Sequence, residues 1–389
     1  MKILIVGTDI NSILLAQYIK LQDNSHDIYV TSIKPEHSKF YTQINIQEGD
    51  IQSLNDFVKY NQIEFTVVTS QIAIINGIAD VFKNEGFPIF APLSESARIT
   101  FFNSIAKKIM YKLKINTPRF GIFDRENLAT EYIRRSRFPI MIENDFTLLS
   151  RDYNIFDTFA KAKLGLQKVF DSGNEKIVIE SYIDTNPIYL YFITDGYNAL
   201  PLITTERTET EKYKIINAPS EKISEKMRIH ILQNAIYPLL DDITKYAGNY
   251  TGIIGIKIKL TRNNYYILEF YNGFQSYDFQ AFLSILNEDL LSLLYDAANG
   301  SLADNHALIN LTDGYSYTVA LNNTEIVSNV DESENDFTES NDDNIKIYTN
   351  TAATRTYAKE TLLDFIETIT NRNTIDEIVA SEEQKVIRI

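Results

Sequence analysis

Cysteine and histidine, two residue types that often carry nucleophilic or metal-based catalysis, are scarce in this chain of 389 residues. The sequence contains no cysteine, which excludes a thiolate nucleophile, a cysteine-ligated metal and a disulfide framework. The four histidines are His26, His37, His230 and His306. They are scattered and include no helical i, i+4 pair, so a zinc site built from histidine is not expected.

Aromatic side chains are abundant, with 24 tyrosines and 22 phenylalanines, and most of them are expected to fill the core. One group of tyrosines lies in the last predicted hairpin and just after it: Tyr265, Tyr266, Tyr271 and Tyr277. We interpret this group as filling a cleft, and an aromatic ligand site is the alternative interpretation.

The first ninety residues alternate between strand and helix patterns. KILIVG at residues 2–7 is an apolar run of strand length, and the pattern behind it places Ile13, Leu14, Ala16 and Ile19 on one helical face. Further strand patterns are DIYVTSI at 27–33, FTVVTS at 65–70 and FPIFAP at 87–92, with helices near 51–60 and 74–84. This rhythm predicts right-handed βαβ units and a parallel sheet, so the fold class is α/β.

The rest of the chain is predicted as mixed α and β. The predicted elements are a helix at 94–113, a strand near 119–123, a helix at 126–135, strands at 138–144, 176–183 and 188–194, a helix at 220–247, a hairpin at 251–270 and a helix at 282–297. We therefore predict an N-terminal parallel α/β domain at 1–116, a central domain at 117–300 with a lid subdomain at about 119–183, and a small C-terminal α+β domain at 301–389.

The net charge of −15 argues against a nucleic-acid partner, whose phosphates require a basic surface. From Asn263 to Ile345 the sequence contains no lysine or arginine but fifteen acidic residues. This segment predicts a solvated acidic surface with a loop at 324–344, and an acidic interaction module is the alternative. No stretch approaches the roughly 20 apolar residues that a membrane helix needs. We expect a cytoplasmic protein, monomeric or homodimeric, with no membrane partner.

Several blocks of the sequence, in order, resemble glycinamide ribonucleotide synthetase, the phosphoribosylamine–glycine ligase of the ATP-grasp superfamily. The blocks are MKILIVG, FTVVTSQIAIINGIADVFKNEGFPIFAP, SIAKKIMYKLKINTPRFGIF, IVIESYID, TDGYNALPL and NYTGIIGIKIKLTRNNYYILEFYNGF. The resemblance covers nearly the whole chain. It implies an N-terminal parallel-sheet domain, an ATP-grasp domain and a small α+β C-terminal domain, with ATP and Mg²⁺ as cofactors.

The same resemblance assigns the binding residues. It implies nucleotide contacts at Glu180, Ser181 and Ile183 of the hinge strand, and at Asn186, the position of the ribose carboxylate. It implies metal ligands at Glu269 and, with a one-residue shift of the alignment, at Asn272. Without that shift the family's asparagine aligns with Tyr271. Glu269 has a second interpretation as an exposed strand residue.

The catalytic positions that the resemblance implies carry different residues here. The family's nucleotide-binding lysines align with Asn103 and Glu143, and its motif arginine aligns with Gly273. The phosphate loop becomes 148–152, where Arg151 retains a cation and Asp152 replaces a glycine. The Gly-rich first turn becomes Gly7-Thr8-Asp9-Ile10-Asn11-Ser12, and the Gly-Pro-Glu turn becomes Thr69-Ser70-Gln71. The substrate stretch Asn-Thr-Gly-Gly-Met-Gly has no counterpart between residues 202 and 220.

Two hypotheses of different class follow. The first is a non-catalytic ATP-grasp homologue in which ligase chemistry is lost or severely impaired, and which binds a small ligand, a protein partner or itself. The second is an active phosphoribosylamine–glycine ligase or a related ATP-dependent carboxylate–amine ligase. ATP and Mg²⁺ binding distinguishes the two, because only the second requires it.

Overall fold

The structure is a computed structural model that describes residues 1–31, 38–146, 148, 153–173, 175–262, 264–275, 277–322, 338–342, 345–370, 374, 376–378 and 380. The N-terminal elements are β1 (Lys2–Val6), α1 (Ile10–Gln22), β2 (Asp27–Thr31), β3 (Thr42–Ile44), α2 (Ile51–Asn61), β4 (Phe65–Val68), α3 (Gln71–Ile75), α4 (Ile78–Asn84) and β5 (Ile89–Phe90). The strand order is β3-β2-β1-β4-β5 and every pair is parallel, which confirms the predicted sheet.

Strand β1 shows why this sheet is buried. Ile3 and Ile5 pack in one hydrophobic cluster with α1, whereas Leu4 and Val6 pack in a second cluster with α2 and α4. All four side chains are fully buried. Since successive strand residues point to opposite faces, an uninterrupted apolar run is required where helices cover both faces of a parallel sheet.

The helix predicted at 94–113 is two helices, α5 (Ser94–Phe101) and α6 (Asn103–Lys112). Phe102 separates them with an extended backbone, φ −114° and ψ 109°, and forms a β-bridge with Phe146. The prediction of one helix was wrong because the apolar periodicity continues across the break. A tertiary contact, visible only in the fold, interrupts it.

The region predicted as a lid is a four-stranded antiparallel sheet carrying two helices. Its elements are β6 (Phe120–Phe123), α7 (Glu126–Arg134), β7 (Ile140–Asn144), β8 (Tyr153–Phe156), α8 (Phe159–Asp171) and β9 (Ile177–Ser181). The strand order is β6-β9-β7-β8. Isoleucines of β7 and β9 pack against α7 and α8, so the alternate residues of these strands face away from the helices.

The remaining strands form one eight-stranded sheet. Its elements and the helices on it are β10 (Pro187–Thr194), β11 (Ala199–Glu209), β12 (Tyr213–Ala218), α9 (Glu225–Ile231), a π-helical turn (Leu232–Ile236), α10 (Tyr237–Ala247), β13 (Gly252–Leu260), β14 (Tyr265–Asn272), α11 (Asp278–Ile285), α12 (Leu290–Asn299), α13 (Leu302–Asn305), β15 (Tyr315–Asn322), β16 (Thr338–Asp342), β17 (Ile345–Ala352) and α14 (Arg355–Ile369). The order is β14-β13-β10-β11-β12-β15-β17-β16, and the predicted β13–β14 hairpin is confirmed. The helix predicted at 282–297 is instead α11 and α12, separated at Leu286 by an extended backbone.

The C-terminal strands extend the central sheet, because β12 pairs with β15 along six residues. The division at residue 300 stays a prediction, since strands on either side of it lie in one sheet. Of the predicted acidic loop at 324–344, only 338–342 lie within the described residues, and these five form β16 rather than a loop. No helix within the described part of the chain combines the length and apolarity that crossing a bilayer requires.

Candidate functional site

Six buried charged side chains lie where the lid sheet faces β13, β14 and α6. They are Lys107 on α6, Glu143 on β7, Glu180 on β9, Lys257 and Lys259 on β13, and Glu269 on β14. Strand alternation places the five strand residues here, because their apolar neighbours pack into the cores on the opposite faces. Lys107 lies instead on the face of α6 that is turned toward the cleft. The site therefore holds three carboxylates and three ammonium groups in a volume from which water is largely excluded.

Lys107 and Glu180 form an ion pair at the centre of this cleft. Lys107 is 0% exposed and Glu180 is 1% exposed. The Lys107 ammonium also donates to the Thr117 hydroxyl at 3.0 Å and to the Leu268 carbonyl at 2.9 Å. Burial raises the pKa of Glu180, and the neighbouring Lys107 only partly offsets this effect. Sequence reasoning assigned Glu180 to nucleotide binding but missed its lysine partner.

Asn103 and Glu143, the positions aligned with two lysines, contact each other directly. The Asn103 side-chain amide donates to a Glu143 carboxylate oxygen, and both residues are buried. The neighbouring Asp145 is held by the Ser104 backbone amide at 2.6 Å and by the Ser104 hydroxyl at 2.9 Å. These bonds connect the start of α6 to β7 and the residue after it. The two positions that align with the family's lysines, Asn103 and Glu143, therefore form one structural contact.

Glu269, the predicted metal ligand, is occupied on both oxygens. Lys257 donates to Oε1 at 3.0 Å, and the Tyr271 hydroxyl donates to Oε2 at 2.7 Å. Glu269 is 1% exposed, so its second interpretation as an exposed strand residue was wrong. Within the described residues no group of three or more histidine, cysteine, aspartate or glutamate side chains could hold a metal ion.

Asn272 does not join Glu269. The two residues are three apart on β14 and therefore lie on opposite faces of the strand. The Asn272 side chain instead accepts from the Tyr250 hydroxyl at 2.8 Å and donates to Gln71 at 3.3 Å. The structure thus separates the two predicted metal ligands.

Lys259 lies beside the hinge segment that follows β9. Its ammonium donates to the Ile183 carbonyl at 2.5 Å and lies 4.2 Å from the centre of the Tyr182 ring. Burial, together with the nearby Lys257 ammonium, lowers the pKa of Lys259 to about 8. The predicted hinge contact at Ile183 is therefore already made by a side chain of the protein.

The other predicted site residues lie at the edges of the cleft or outside the described chain. Ser181 is half-buried at the end of β9, and Asn186 is exposed. Gly273 has φ +74°, a left-handed conformation that favours glycine over the family's arginine. Arg151 and most of the phosphate-loop segment 148–152 lie outside the described residues.

A second buried polar centre was not found by sequence reasoning. Arg207 on β11 donates to both carboxylate oxygens of Asp278 at 2.5 and 2.8 Å, and to the Tyr191 hydroxyl at 2.6 Å. Its guanidinium lies 3.7 Å from the centre of the Tyr189 ring. Burial lowers the pKa of Arg207, but the Asp278 carboxylate together with Tyr191 and Tyr189 outweighs burial and holds that pKa well above its usual value. Arg207 lies in the polar stretch TTERTE of β11, so no local pattern indicated that its side chain is buried.

A cavity of about 70 Å³ lies at the carboxyl ends of β1, β4 and β5, against β14 and α12. Its polar lining comprises Asp9, Asn11, Thr69, Gln71 and Asn272. Gln71 donates to the Asn272 carbonyl at 3.1 Å, so this side of the cavity joins the N-terminal domain to β14. These are the turns that the sequence placed at the family's Gly-rich and Gly-Pro-Glu positions.

Comparison with known proteins identifies two consecutive family domains in the chain. The profile described as "Phosphoribosylglycinamide synthetase, N domain" matches residues 1–100, and that described as "Phosphoribosylglycinamide synthetase, ATP-grasp (A) domain" matches residues 103–278. The chain is 26% identical over 316 residues to the phosphoribosylamine–glycine ligase of Caldanaerobacter subterraneus subsp. tengcongensis, covering 78% of this chain and 76% of that protein. It is 24% identical over 319 residues to the ligase of Clostridium acetobutylicum, with 78% and 76% covered.

Solved structures share the fold. The phosphoribosylamine–glycine ligase of Thermotoga maritima has a TM-score of 0.73 at 16% identity, covering 92% of this chain and 95% of that one. A biotin carboxylase–β-γ-ATP complex from Campylobacter jejuni has a TM-score of 0.71 at 13% identity, with 93% and 90% covered. The biotin carboxylase domain dimer of Hydrogenobacter thermophilus 2-oxoglutarate carboxylase, in complex with MgADP, ADP and bicarbonate, has a TM-score of 0.71 at 14% identity, with 95% and 90% covered.

Proposed function

The chain belongs to the phosphoribosylglycinamide synthetase family of ATP-grasp proteins, and from this premise we propose that it is a non-catalytic member whose ligase chemistry is lost or severely impaired. The observation that carries the proposal is the buried Lys257–Glu269–Tyr271 group, which occupies the predicted metal position. In this protein the cleft between lid and central sheet is neutralised by its own side chains.

The residues at this position do not fit Mg²⁺. A Mg²⁺ ion bound to Glu269 would lie about 4 Å from the Lys257 ammonium, where the repulsion is about 8 kcal/mol at an effective dielectric of about 20. The ion would therefore have to expel Lys257 from a buried pair. Asn272 supplies no second ligand from the opposite face of β14, and the phenol of Tyr271 is a poor donor to a hard cation.

The positions expected to meet the phosphates also favour loss of activity. Glu143 places a buried carboxylate where the family's lysine is expected, and Asn103 binds it rather than a nucleotide. Transition-state contacts of this kind contribute about 3–4 kcal/mol each, so losing several of them lowers the rate by many orders of magnitude.

One observation favours the alternative of an active ligase or a related ATP-dependent carboxylate–amine ligase. Lys107, Lys257 and Lys259 place three cations in the cleft, although each contacts a carboxylate or carbonyl of the protein. If a nucleotide displaced these partners, its phosphates would find counter-charges. Activity through this set requires the lid to move away from β13.

Calorimetric titration with ATP and Mg²⁺ tests the proposal, with the Thermotoga maritima ligase as positive control. We expect no binding heat from this protein and no ADP formation that depends on phosphoribosylamine and glycine. ADP formation that requires both substrates would refute the proposal and support the alternative. Weak ATP binding without turnover would show that only the chemistry is lost.

The remaining proposals concern cellular location, oligomeric state and partners. We propose a cytoplasmic protein, monomeric or homodimeric, that acts through a small ligand or a protein partner. The net charge of −15 supports the exclusion of nucleic acid. The dimeric biotin carboxylase domain is a precedent for self-association within the fold.

A further inference from the structure

We infer that a groove between β8 and α8 binds an extended, acidic peptide segment of a partner protein, an inference that rests on the proposed action through a protein partner. The groove has a volume of about 470 Å³. Ile142 of β7 lines it and packs with residues of α8, so the groove lies on the helix-covered face of the four-stranded sheet. The neighbouring residue Glu143 projects from the opposite face, toward the cleft. The groove is therefore separate from the cleft.

One stripe of α8 forms a wall of the groove. The lining residues Lys161, Leu164, Gly165, Lys168 and Ser172 recur at intervals of three and four residues, which places them on one side of the helix. At about 1.5 Å per residue, this stripe is about 17 Å long. An extended chain rises about 3.3 Å per residue, so about five residues of an extended peptide span the groove.

The other wall of the groove is an open strand edge. β8 is the last strand in the order β6-β9-β7-β8, and β7 is its only partner among the strands that the structure describes. Alternate residues of such an edge direct their backbone N–H and C=O groups outward, where a further strand can pair with them. Beside this edge Ile155 is 45% exposed and Leu164 is 57% exposed. An added peptide strand would pair with the edge and cover both apolar side chains.

The charges of the groove select an acidic peptide. Lys161 and Lys168 line it, whereas none of the aspartate or glutamate side chains that the structure describes does. Lys161 already pairs with Asp157 at 2.9 Å, but Lys168 forms no ion pair within the described part of the chain. A carboxylate of the peptide would find its counter-charge in Lys168. Pairing of β8 with the β8 of a second copy is disfavoured, because it would bring together two sets of lysines.

Three peptide probes separate charge from backbone pairing. The first is acetylated and amidated Glu-Thr-Val-Thr-Glu, whose alternation places both acids and the valine on one face. The second, Lys-Thr-Val-Thr-Lys, reverses the charge. The third is the first peptide with every backbone nitrogen methylated, which removes the donors that strand pairing requires.

NMR of isoleucine, leucine and valine methyl groups measures binding and locates it, because Ile155, Leu164 and Val169 line the groove. We expect the acidic probe to shift these methyl signals and to bind at least about tenfold more tightly than either comparison peptide. Equal affinity of either comparison peptide, shifts only at methyl groups outside the groove, or no binding of the acidic probe up to about 10 mM would overturn the inference.

Two lysine variants localise the charge effect. Lys168→Glu replaces an attraction by a repulsion, so it should weaken binding of the acidic probe by about tenfold and favour the basic probe. Lys163→Glu is the matched control, because Lys163 is exposed on the same helix and does not line the groove. An unchanged preference in Lys168→Glu, or an equal loss in Lys163→Glu, would overturn the inference.

The peptide titrations and the test of the proposed function fail independently. ADP formation that depends on phosphoribosylamine and glycine would refute the proposed loss of chemistry whatever the peptides show. Failure of the acidic probe to bind in the groove would refute the groove inference while leaving that loss intact.

Discussion

Replacing Lys107 by methionine should destabilise the protein strongly and make its stability depend on pH. The change removes the cation that neutralises Glu180 while preserving the shape of the side chain. Glu180 is 1% exposed, and neither of its oxygens accepts a hydrogen bond in the structure beyond the ion pair itself. The variant therefore leaves a buried carboxylate with no hydrogen-bond partner among the described residues, and Lys257 remains as a nearby cation.

The magnitude follows from the cost of an unpaired buried charge. Removing one partner of a buried ion pair costs about 3–5 kcal/mol, whereas replacing both partners by apolar side chains is often neutral. With a urea m-value of roughly 3 kcal/mol/M, the single variant should lower the unfolding midpoint by about 1 M or more. The double variant Lys107→Met, Glu180→Leu should return close to the wild type.

The pH dependence has a defined sign. Burial raises the pKa of Glu180 in the folded protein, and removing Lys107 raises it further. The folded state then holds a proton that the unfolded state releases above about pH 4.3. The stabilisation linked to this proton is complete below that pH and is lost as the pH rises through the folded pKa. The unfolding free energy of Lys107→Met should therefore fall as the pH rises above about 4.3, by up to about 1.4 kcal/mol per pH unit, until the folded pKa is passed.

Urea denaturation followed by circular dichroism at several pH values provides the measurement. Lys108→Met is the matched control, because Lys108 is the next residue of α6 and is exposed, so its cost should stay within about 0.5 kcal/mol. A Lys107→Met variant as stable as this control would refute the reasoning. So would a double variant that gains nothing from the loss of Glu180.

Two further predictions concern the other buried cations. Arg207→Lys should lower the unfolding free energy by about 2–4 kcal/mol, because a lysine cannot make the bidentate contact to Asp278. An unchanged midpoint of urea unfolding would contradict this. NMR titration of Lys259 should give a midpoint near pH 8, and Lys257→Met should raise it, since the Lys257 ammonium helps to lower the pKa. This group's contribution to stability should increase between about pH 8 and 10.5, because only the unfolded state holds the proton there; a midpoint above pH 10 in the wild type would refute the assignment.

The sequence by itself determined the fold class and the family. The uninterrupted apolar run from Ile3 to Val6 is most stable as a strand that is covered on both faces. Such runs alternate with helices along the chain, and this alternation favours a parallel sheet. The family-like blocks, which occur in the same order as in the family, also predicted the ATP-grasp fold. Each block is a local sequence pattern that stays recognisable when residues outside it are substituted. These features depend on residues close together in sequence.

Only the tertiary structure decided the charges of the cleft. Lys107 and Lys108 are identical in type and adjacent, yet the helical phase of α6 buries the first against Glu180 and leaves the second exposed. Likewise, Lys257 neutralises Glu269 only because the hairpin register places the two opposite each other. The electrostatic state of a buried carboxylate depends on groups more than ten residues away and on excluded water, and neither is encoded in a local pattern.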